Sequence, residues 1–95
     1  MQAVMRFNRS QIEERFLAAA SYLGIEGGFD GFYDFVGGLV THLNIPKNLT
    51  DLGLRDLGDA ELDRIVAAAL TDPSAGGNPR ELNAKNTRAL LEACF

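Results

Sequence analysis

Apolar residues recur at steps of three and four along most of this chain, and this spacing constrains its fold more than any other feature. Near the N-terminus they form one stripe, made of Ile12, Phe16, Ala19, Ala20 and Leu23. The next stretch has a broader apolar face, made of Phe32, Phe35, Val36, Leu39, Val40 and Leu43. Residues at this spacing lie on one side of an α-helix, whereas a half-buried strand needs an alternating pattern. No segment alternates in that way, so we predict an all-α protein.

Start and stop signals divide this pattern into an irregular bundle of about five short helices. Ser10 and Glu13 have the spacing of a capping box and predict the start of the first helix, and Gly24 predicts its end in a left-handed turn. The other predicted segments are a helix from about Asp30 to Leu43, a short helical turn around Leu49 and Leu52 that stops at Gly53, a helix opening near Asp59 and a last helix capped by Asn83. With 95 residues, the chain has the size of one small domain, so we expect residues 1–95 to form a single all-helical domain.

Two adjacent glycines, Gly37 and Gly38, lie in the middle of the predicted second helix. Each costs a helix about 1 kcal/mol relative to alanine. We therefore predict that a neighbouring helix packs closely against this point.

The charge and hydropathy of the chain exclude several classes of function. Its 9 lysine and arginine residues are outnumbered by 13 aspartate and glutamate residues, which leaves a net charge of −4. Nucleic-acid binding rests first on a basic surface, so we expect no nucleic-acid partner. No apolar run approaches the roughly 20 residues that cross a bilayer, and the N-terminus lacks the pattern of a secretion signal. We therefore expect a soluble, cytoplasmic protein without a membrane partner.

No group of residues in the sequence has the spacing of a catalytic or metal site. Metal sites need several ligands, but the chain has one histidine, His42, and one cysteine, Cys94. The simpler interpretation makes His42 a partly buried structural residue and Cys94 a small packing residue. No serine lies in a nucleophile elbow, and the glycine pairs form no phosphate-binding loop. The sequence therefore predicts no catalytic residue and no metal ligand.

The stretch TDPSAGGNPREL, residues 71–82, is an unusual connection between two helices. Its glycines permit backbone angles that are closed to other residues, and they allow a ligand or another backbone to approach closely. Pro79 pushes Asn78 into an extended conformation, and Arg80 has a fork that suits a carboxylate or helix-end carbonyls. On local chemistry alone, the simpler interpretation is a long connection held by the Asn side chain and an Arg bridge.

Four motifs, taken in order, resemble a known family. They are MRFN near the start, then LGI, then LNIPKNLTDLGL, then ELDRIVAAALTDPSAGGNPREL. The C-terminal helical region of iron-containing (group III) alcohol dehydrogenases is similar, because it reads VMRFN, a helix ending in LG, an LGIP motif, and a helix followed by NPR and a final helix. The resemblance runs from about Val4 to Phe95. Each motif is weak alone, but their order and separations make the resemblance specific.

The resemblance implies an NAD(P)-dependent oxidoreductase that interconverts alcohols with aldehydes or ketones. In the complete family enzyme, an N-terminal α/β domain binds the dinucleotide, and the helical domain holds Fe²⁺ or Zn²⁺ through one Asp and three His. All of these ligands precede the MRFN motif, and His42 matches none of them. We therefore expect this chain to be a C-terminal fragment of such a dehydrogenase, without catalytic residues and inactive alone.

The resemblance also implies a role for the connection at residues 71–82. In the family, the loop before the last helix closes one side of the cleft near the metal and the nicotinamide. The expected wall residues of this substrate and cofactor cleft are Ser74, Ala75, Gly76 and Gly77, and the expected bracing residues are Asn78, Pro79 and Arg80.

Two kinds of partner are compatible with these features. A dehydrogenase fragment would bind the remainder of the enzyme or self-associate, with a homodimer as the expected form. The alternative function is a free-standing helical module that binds another protein. It rests on the aromatic cluster of Phe29, Phe32, Tyr33 and Phe35, which is large for so small a bundle. In the dehydrogenase interpretation, the same cluster packs on helices of the remaining enzyme.

Overall fold

The computed structural model describes residues 1–95, and its regular structure is entirely helical. The elements are α1 (Gln2–Leu23), α2 (Gly28–His42), α3 (Asp59–Thr71), a short 3₁₀ turn (Pro73–Gly77) and α4 (Ala84–Glu92). The prediction of an all-α protein is confirmed. The chain forms two compact units, Met1–Lys47 and Asn48–Phe95, which are described separately. That residues 1–95 act as one domain stays a prediction. None of the helices combines the length and the hydropathy that a bilayer-spanning segment needs.

Helix α1 begins at Gln2, which corrects the predicted start at Ser10. Ser10 lies exposed in the middle of the helix, so it does not act as a cap. Met5 is buried, and it extends the apolar stripe of Ile12 toward the N-terminus. Burial of this added turn outweighs the local capping signal, because packing routinely overrides local preference. The predicted end of the helix is confirmed, since Gly24 adopts a left-handed φ of 69°.

Helices α1 and α2 pack together to form the core of the first unit. The rings of Phe16 on α1 and Phe29 on α2 meet edge to face, with centroids 5.5 Å apart, and the centroid of the Phe32 ring lies 4.9 Å from that of Phe16. Phe29 and Ala20 are buried at this contact. Arg9 of α1 crosses to α2, where its Nη1 atom donates a hydrogen bond to Asp30 Oδ1 at 2.8 Å.

The glycines of α2 differ in what surrounds them. At Gly37 an added Cβ would lie 2.5 Å from the side-chain nitrogen of Gln2 on α1, which is the end of a flexible side chain, so the close packing of a helix at this residue stays a prediction. At Gly38 an added Cβ would meet nothing within 4 Å, so for this residue the prediction is wrong within the chain. A Cβ at Gly31 would collide with the backbone carbonyl of Glu26, so the turn between the two helices accepts only glycine there.

The second unit begins with a series of hydrogen-bonded turns where a short helical turn was predicted around Leu49 and Leu52. The Asn48 side chain accepts a hydrogen bond from the Asp51 N–H at 2.7 Å, and the Leu49 N–H donates to the Cys94 carbonyl at 2.7 Å. These bonds take backbone and side-chain groups that a helix would pair differently, which explains the correction. Gly53, the predicted stop, has a left-handed φ of 88°.

Helices α3 and α4 pack against each other in the second unit, with Val66 and Thr87 buried. Helix α3 begins at Asp59 as predicted, and the Glu61 side chain accepts a hydrogen bond from the Gly58 N–H at 3.0 Å. Helix α4 is capped by Asn83, also as predicted. The chain therefore has four α-helices and a 3₁₀ turn instead of about five short helices, and α1, with 22 residues, is long.

Candidate functional site

The candidate site is the connection between α3 and α4, and hydrogen bonds hold its first end. At the end of α3 the Thr71 hydroxyl donates to the Ala68 carbonyl at 2.9 Å. The Asp72 carboxylate then accepts the Ser74 N–H at 2.7 Å and caps the 3₁₀ turn, which has Pro73 at its start. Asp followed by Pro suits this position, because proline at the first position loses no hydrogen bond and has the required φ.

The bond between Asp72 and Ser74 changes the acidity of the carboxyl group. The hydrogen bond from the Ser74 backbone N–H lowers the pKa of Asp72 below its ordinary value, and the Ser74 side chain adds to this effect. Both bonds favour the charged carboxylate, since a hydrogen bond to the ionised form stabilises that form. Asp72 therefore holds the turn most firmly when it is ionised.

The expected wall residues make up most of the 3₁₀ turn. Ser74, Gly76 and Gly77 are exposed, and Ala75 is half-buried. An added Cβ at Gly76 or Gly77 would meet nothing within 4 Å, so this side of the turn is open. Neither of these glycines has a positive φ, so neither uses the backbone angles that glycine alone permits. Within the chain, neither crowding nor backbone strain explains why glycine occupies these two positions.

The expected bracing residues follow the turn directly. Asn78 is extended, with φ −68° and ψ 131°, as the following proline dictates. Its side-chain Nδ2 atom donates a hydrogen bond to the Arg80 carbonyl at 2.5 Å, so the bond spans Pro79. Arg80 itself is exposed. The structure thus places the predicted wall and bracing residues on one short, hydrogen-bonded segment.

Two residues that sequence reasoning missed hold the connection at its ends. Asp72 caps the 3₁₀ turn, and Asn86 donates from Nδ2 to the Glu81 carbonyl at 2.9 Å. Asn86 also shares a reciprocal cap with Asn83, because each side-chain oxygen accepts the other residue's N–H, at 2.8 and 3.0 Å. The sequence contains a signal for each of these two residues. Asp72 begins an Asp-Pro-Ser turn pattern. Asn86 is an amide three residues after the Asn83 cap, a spacing that can complete a capping box.

Arg88 joins the two helices that carry the ends of this connection. It binds Asp59 and Asp63 on α3 and Glu92 on its own helix, each at 2.7 Å. The hydrogen bonds, first to Asp59 and then to Glu92, raise the pKa of the Arg88 guanidinium above its ordinary value. Arg88 therefore stays charged at all ordinary pH values and fixes α3 and α4 relative to each other.

The residues of this chain do not fit a metal ion. No group of three or more His, Cys, Asp or Glu side chains is arranged to bind one. His42 is exposed at the last position of α2, which corrects the expectation of a partly buried histidine. Arg88 binds three acidic side chains of α3 and α4, those of Asp59, Asp63 and Glu92. No catalytic step is therefore derived through a metal bound to this chain.

Comparison with known proteins identifies the family of this helical chain. The sequence pattern of the family described as Fe-containing alcohol dehydrogenase, C-terminal, matches residues 1–95. Searches among curated proteins and among solved structures gave no match. The family match covers the whole chain and agrees with its all-helical architecture. The chain therefore belongs to the Fe-containing alcohol dehydrogenase family, as part of its C-terminal region.

Proposed function

We propose that this chain serves as the C-terminal helical part of a dehydrogenase that transfers a hydride between an alcohol and NAD(P), with Fe²⁺ or Zn²⁺ as the metal. The observation that carries the proposal is the family match over residues 1–95. The four motifs from MRFN to NPREL support it, because they follow one another in the family's order.

The metal and the dinucleotide bind to other parts of the complete enzyme. This chain contributes no cluster of metal ligands, and it has no strand followed by a glycine-rich loop that could hold a dinucleotide phosphate. Its contribution is structural, and the chain alone has no dehydrogenase activity.

The test uses the gene product translated from the genomic reading frame that contains this sequence. We expect the frame to continue upstream of the Met1 codon into a segment with a metal-binding histidine and an earlier dinucleotide domain. That product, loaded with Fe²⁺ or Zn²⁺, should reduce NAD⁺ or NADP⁺ in the presence of a primary or secondary alcohol. The 95-residue chain alone should not. A stop codon directly before Met1, or an inactive metal-loaded product, would contradict the proposal.

The connection between α3 and α4 forms one wall of the substrate and cofactor cleft in this proposal. Ser74, Gly76 and Gly77 are exposed on a turn that Asp72 and Asn78 hold in shape. The open side at the two glycines leaves room for a ligand to approach the backbone. Asn78, Pro79 and Arg80 brace the wall in this arrangement.

A substitution at Ser74 tests the wall. In the complete enzyme, we expect Ser74→Leu to raise the KM for the alcohol about tenfold, because the larger side chain occupies space at the cleft. Ser10→Leu is the matched control, since Ser10 is exposed in the middle of α1, and its KM should not change. An unchanged KM for Ser74→Leu would exclude a wall role for this turn.

The second candidate function is a free-standing helical module that binds another protein. It is favoured by large apolar side chains that the chain leaves exposed, such as Leu17 at 57%, Leu43 at 61% and Leu52 at 62%. Such surface marks a binding face when it is contiguous. A module made alone should be a monodisperse protein, whereas a part of a larger enzyme should self-associate through its exposed apolar surface. We expect self-association.

A further inference from the structure

Two triplets of this chain have the pattern of asparagine, any residue except proline, then serine or threonine. One runs from Asn8 to Ser10 in the first unit, and the other runs from Asn48 to Thr50 at the start of the second unit. This pattern is the acceptor for a sugar on the asparagine amide, and it is used where the backbone lies at the surface. The structure places the two triplets in different surroundings.

The first triplet lies inside helix α1. Asn8 is 5% exposed, whereas Ser10 is exposed. Residues two positions apart on a helix do not face each other, so the asparagine and the serine lie on different sides of α1. An enzyme that binds both side chains at once therefore has to wait until this part of the helix unfolds.

The second triplet lies in the turns before α3, outside the helices. Asn48 and Thr50 are half-buried, so both are partly accessible. The Thr50 hydroxyl donates to the Phe95 carbonyl at 3.4 Å, which is long for a bond from a hydroxyl group. This weak bond leaves the hydroxyl available to an enzyme that recognises it, without unfolding of a helix.

A hydrogen bond at Asn48 favours chemistry on its amide. The nitrogen of an amide is a poor nucleophile, because its lone pair is shared with the oxygen. It becomes a better one as it loses a proton, and a hydrogen bond to the oxygen stabilises the charge that then develops there. The Asp51 N–H donates such a bond to Asn48 Oδ1 at 2.7 Å. The bond involves the oxygen and not Nδ2, which is the atom that takes a sugar.

We propose that Asn48 is an N-glycosylation site, which accepts a hexose from a nucleoside diphosphate sugar through a separate transferase. Asn48 Nδ2 forms a bond to C1 of the sugar, and the bond between C1 and the diphosphate oxygen breaks. The nucleoside diphosphate leaves with the electron pair, and the proton lost from Nδ2 passes to a base of the transferase. The proposal does not depend on the dehydrogenase activity.

The first test incubates the folded 95-residue chain with uridine diphosphate glucose and a soluble asparagine N-glycosyltransferase. We expect the mass of the chain to rise by one hexose, and the hexose should lie in the tryptic peptide of residues 48–55. Asn48→Gln should lose the modification completely. An unmodified wild-type chain would overturn the proposal.

Two substitutions of Thr50 check that the triplet is what the transferase recognises. Thr50→Val removes the hydroxyl but keeps the branched shape, so it should lose the modification. Thr50→Ser keeps the hydroxyl and should also keep the modification. Circular dichroism checks that both variants retain their helical content. Equal modification of the two variants would contradict recognition through this residue.

The second test separates the effect of the fold from that of the sequence. Peptides of residues 4–14 and 44–55 each contain one triplet without the surrounding fold, so we expect the transferase to modify both. In the folded chain, only Asn48 should carry the hexose, because Asn8 is buried in α1. Equal modification of Asn8 and Asn48 in the folded chain would mean that the structure does not select the site. A modified peptide 44–55 beside an unmodified folded chain would show that the turn is closed to the enzyme, and the proposal would be wrong.

Discussion

In both units of this chain, an arginine that binds carboxylates joins the two helices, but the surroundings of that arginine differ. In Met1–Lys47, Arg9 binds Glu13 on its own helix and both carboxylate oxygens of Asp30 on α2. In Asn48–Phe95, Arg88 binds Glu92 on its own helix and two carboxylates on α3. The guanidinium of Arg9 also lies 4.6 Å from the centre of the Phe29 ring. No aromatic ring accompanies Arg88, but its side chain is more covered, at 24% exposed against 42% for Arg9.

This difference shows how each pair of helices is stabilised. In the first unit the rings of Phe16, Phe29 and Phe32 bury apolar area, and the arginine lies at the edge of that cluster. In the second unit, Val66 is the one buried hydrophobic residue, so ion pairs and helix caps carry a larger share. Apolar burial is insensitive to salt and pH, whereas ion pairs depend on both. The two units should therefore respond differently to the same perturbation.

The largest expected effect is that of Phe29→Ala. Removing this ring leaves a cavity beside Phe16, and such a change typically costs about 3–5 kcal/mol. We expect amide hydrogen exchange to accelerate throughout residues 1–47. If exchange in that unit were unchanged, the aromatic cluster would not be its core.

Val66→Ala is the matching change in the second unit. It removes two methyl groups from a residue that is 5% exposed, and we expect a loss of about 2 kcal/mol. The measurement is again amide exchange, now in residues 48–95. A loss as large as that from Phe29→Ala would mean that the second unit depends on apolar burial as much as the first does.

Arg88→Met and Arg9→Met compare the two arginines directly. Arg88 holds three carboxylates and is less exposed, so its loss should lower the unfolding temperature more than the loss of Arg9. The gap between the two variants should shrink as salt is added, because salt screens exposed charges. Equal effects at low salt would contradict the view that ion pairs matter more in the second unit.

The smallest expected loss of stability is that of Asp72→Ala, and this loss should depend on pH. Because the folded chain lowers the pKa of Asp72, its stabilising contribution is present above the ordinary pKa and is lost as pH falls through the lowered value. We expect Asp72→Ala to be less stable than the wild type at neutral pH, with a difference that stays constant down to about pH 5 and shrinks below about pH 4. Unfolding curves of both proteins across this range give the measurement. A difference independent of pH would show that the capping bond does not depend on the charge.

Elements that rest on periodicity and caps were predictable from the sequence. The apolar face of α2, the end of α1 at Gly24 and the cap at Asn83 all follow from local rules, and the structure has them. The start of α1 was not predictable in this way, because burial of Met5 decides it and Ser10 imitates a cap. The turns near Leu49 were also hidden, since they depend on a bond to Cys94 at the far end of the unit.

In the candidate site, too, the features set by local rules were predictable from the sequence, and those set by distant contacts were not. The extended Asn78 follows from the next residue being proline, and the position of the connection follows from its glycines and prolines. The bond from Asn78 to the Arg80 carbonyl and the network of Arg88 join groups whose geometry the sequence does not specify. The open space at Gly38 is likewise a property of the folded neighbours and not of the residue itself.

The hydrogen bonds that close the second unit affect the order in which the chain folds. Leu49 binds the Cys94 carbonyl, and the Thr50 hydroxyl binds the Phe95 carbonyl across a separation of 45 residues. Helices α1 and α2 are able to form contacts progressively outward from their connecting turn, so each new contact closes only a small additional loop. The closing bonds of the second unit bring its two ends together in one step, which costs more chain entropy before any contact compensates for it. The first unit should therefore form its native contacts earlier, and the C-terminal residues should be the last part of the chain to become ordered.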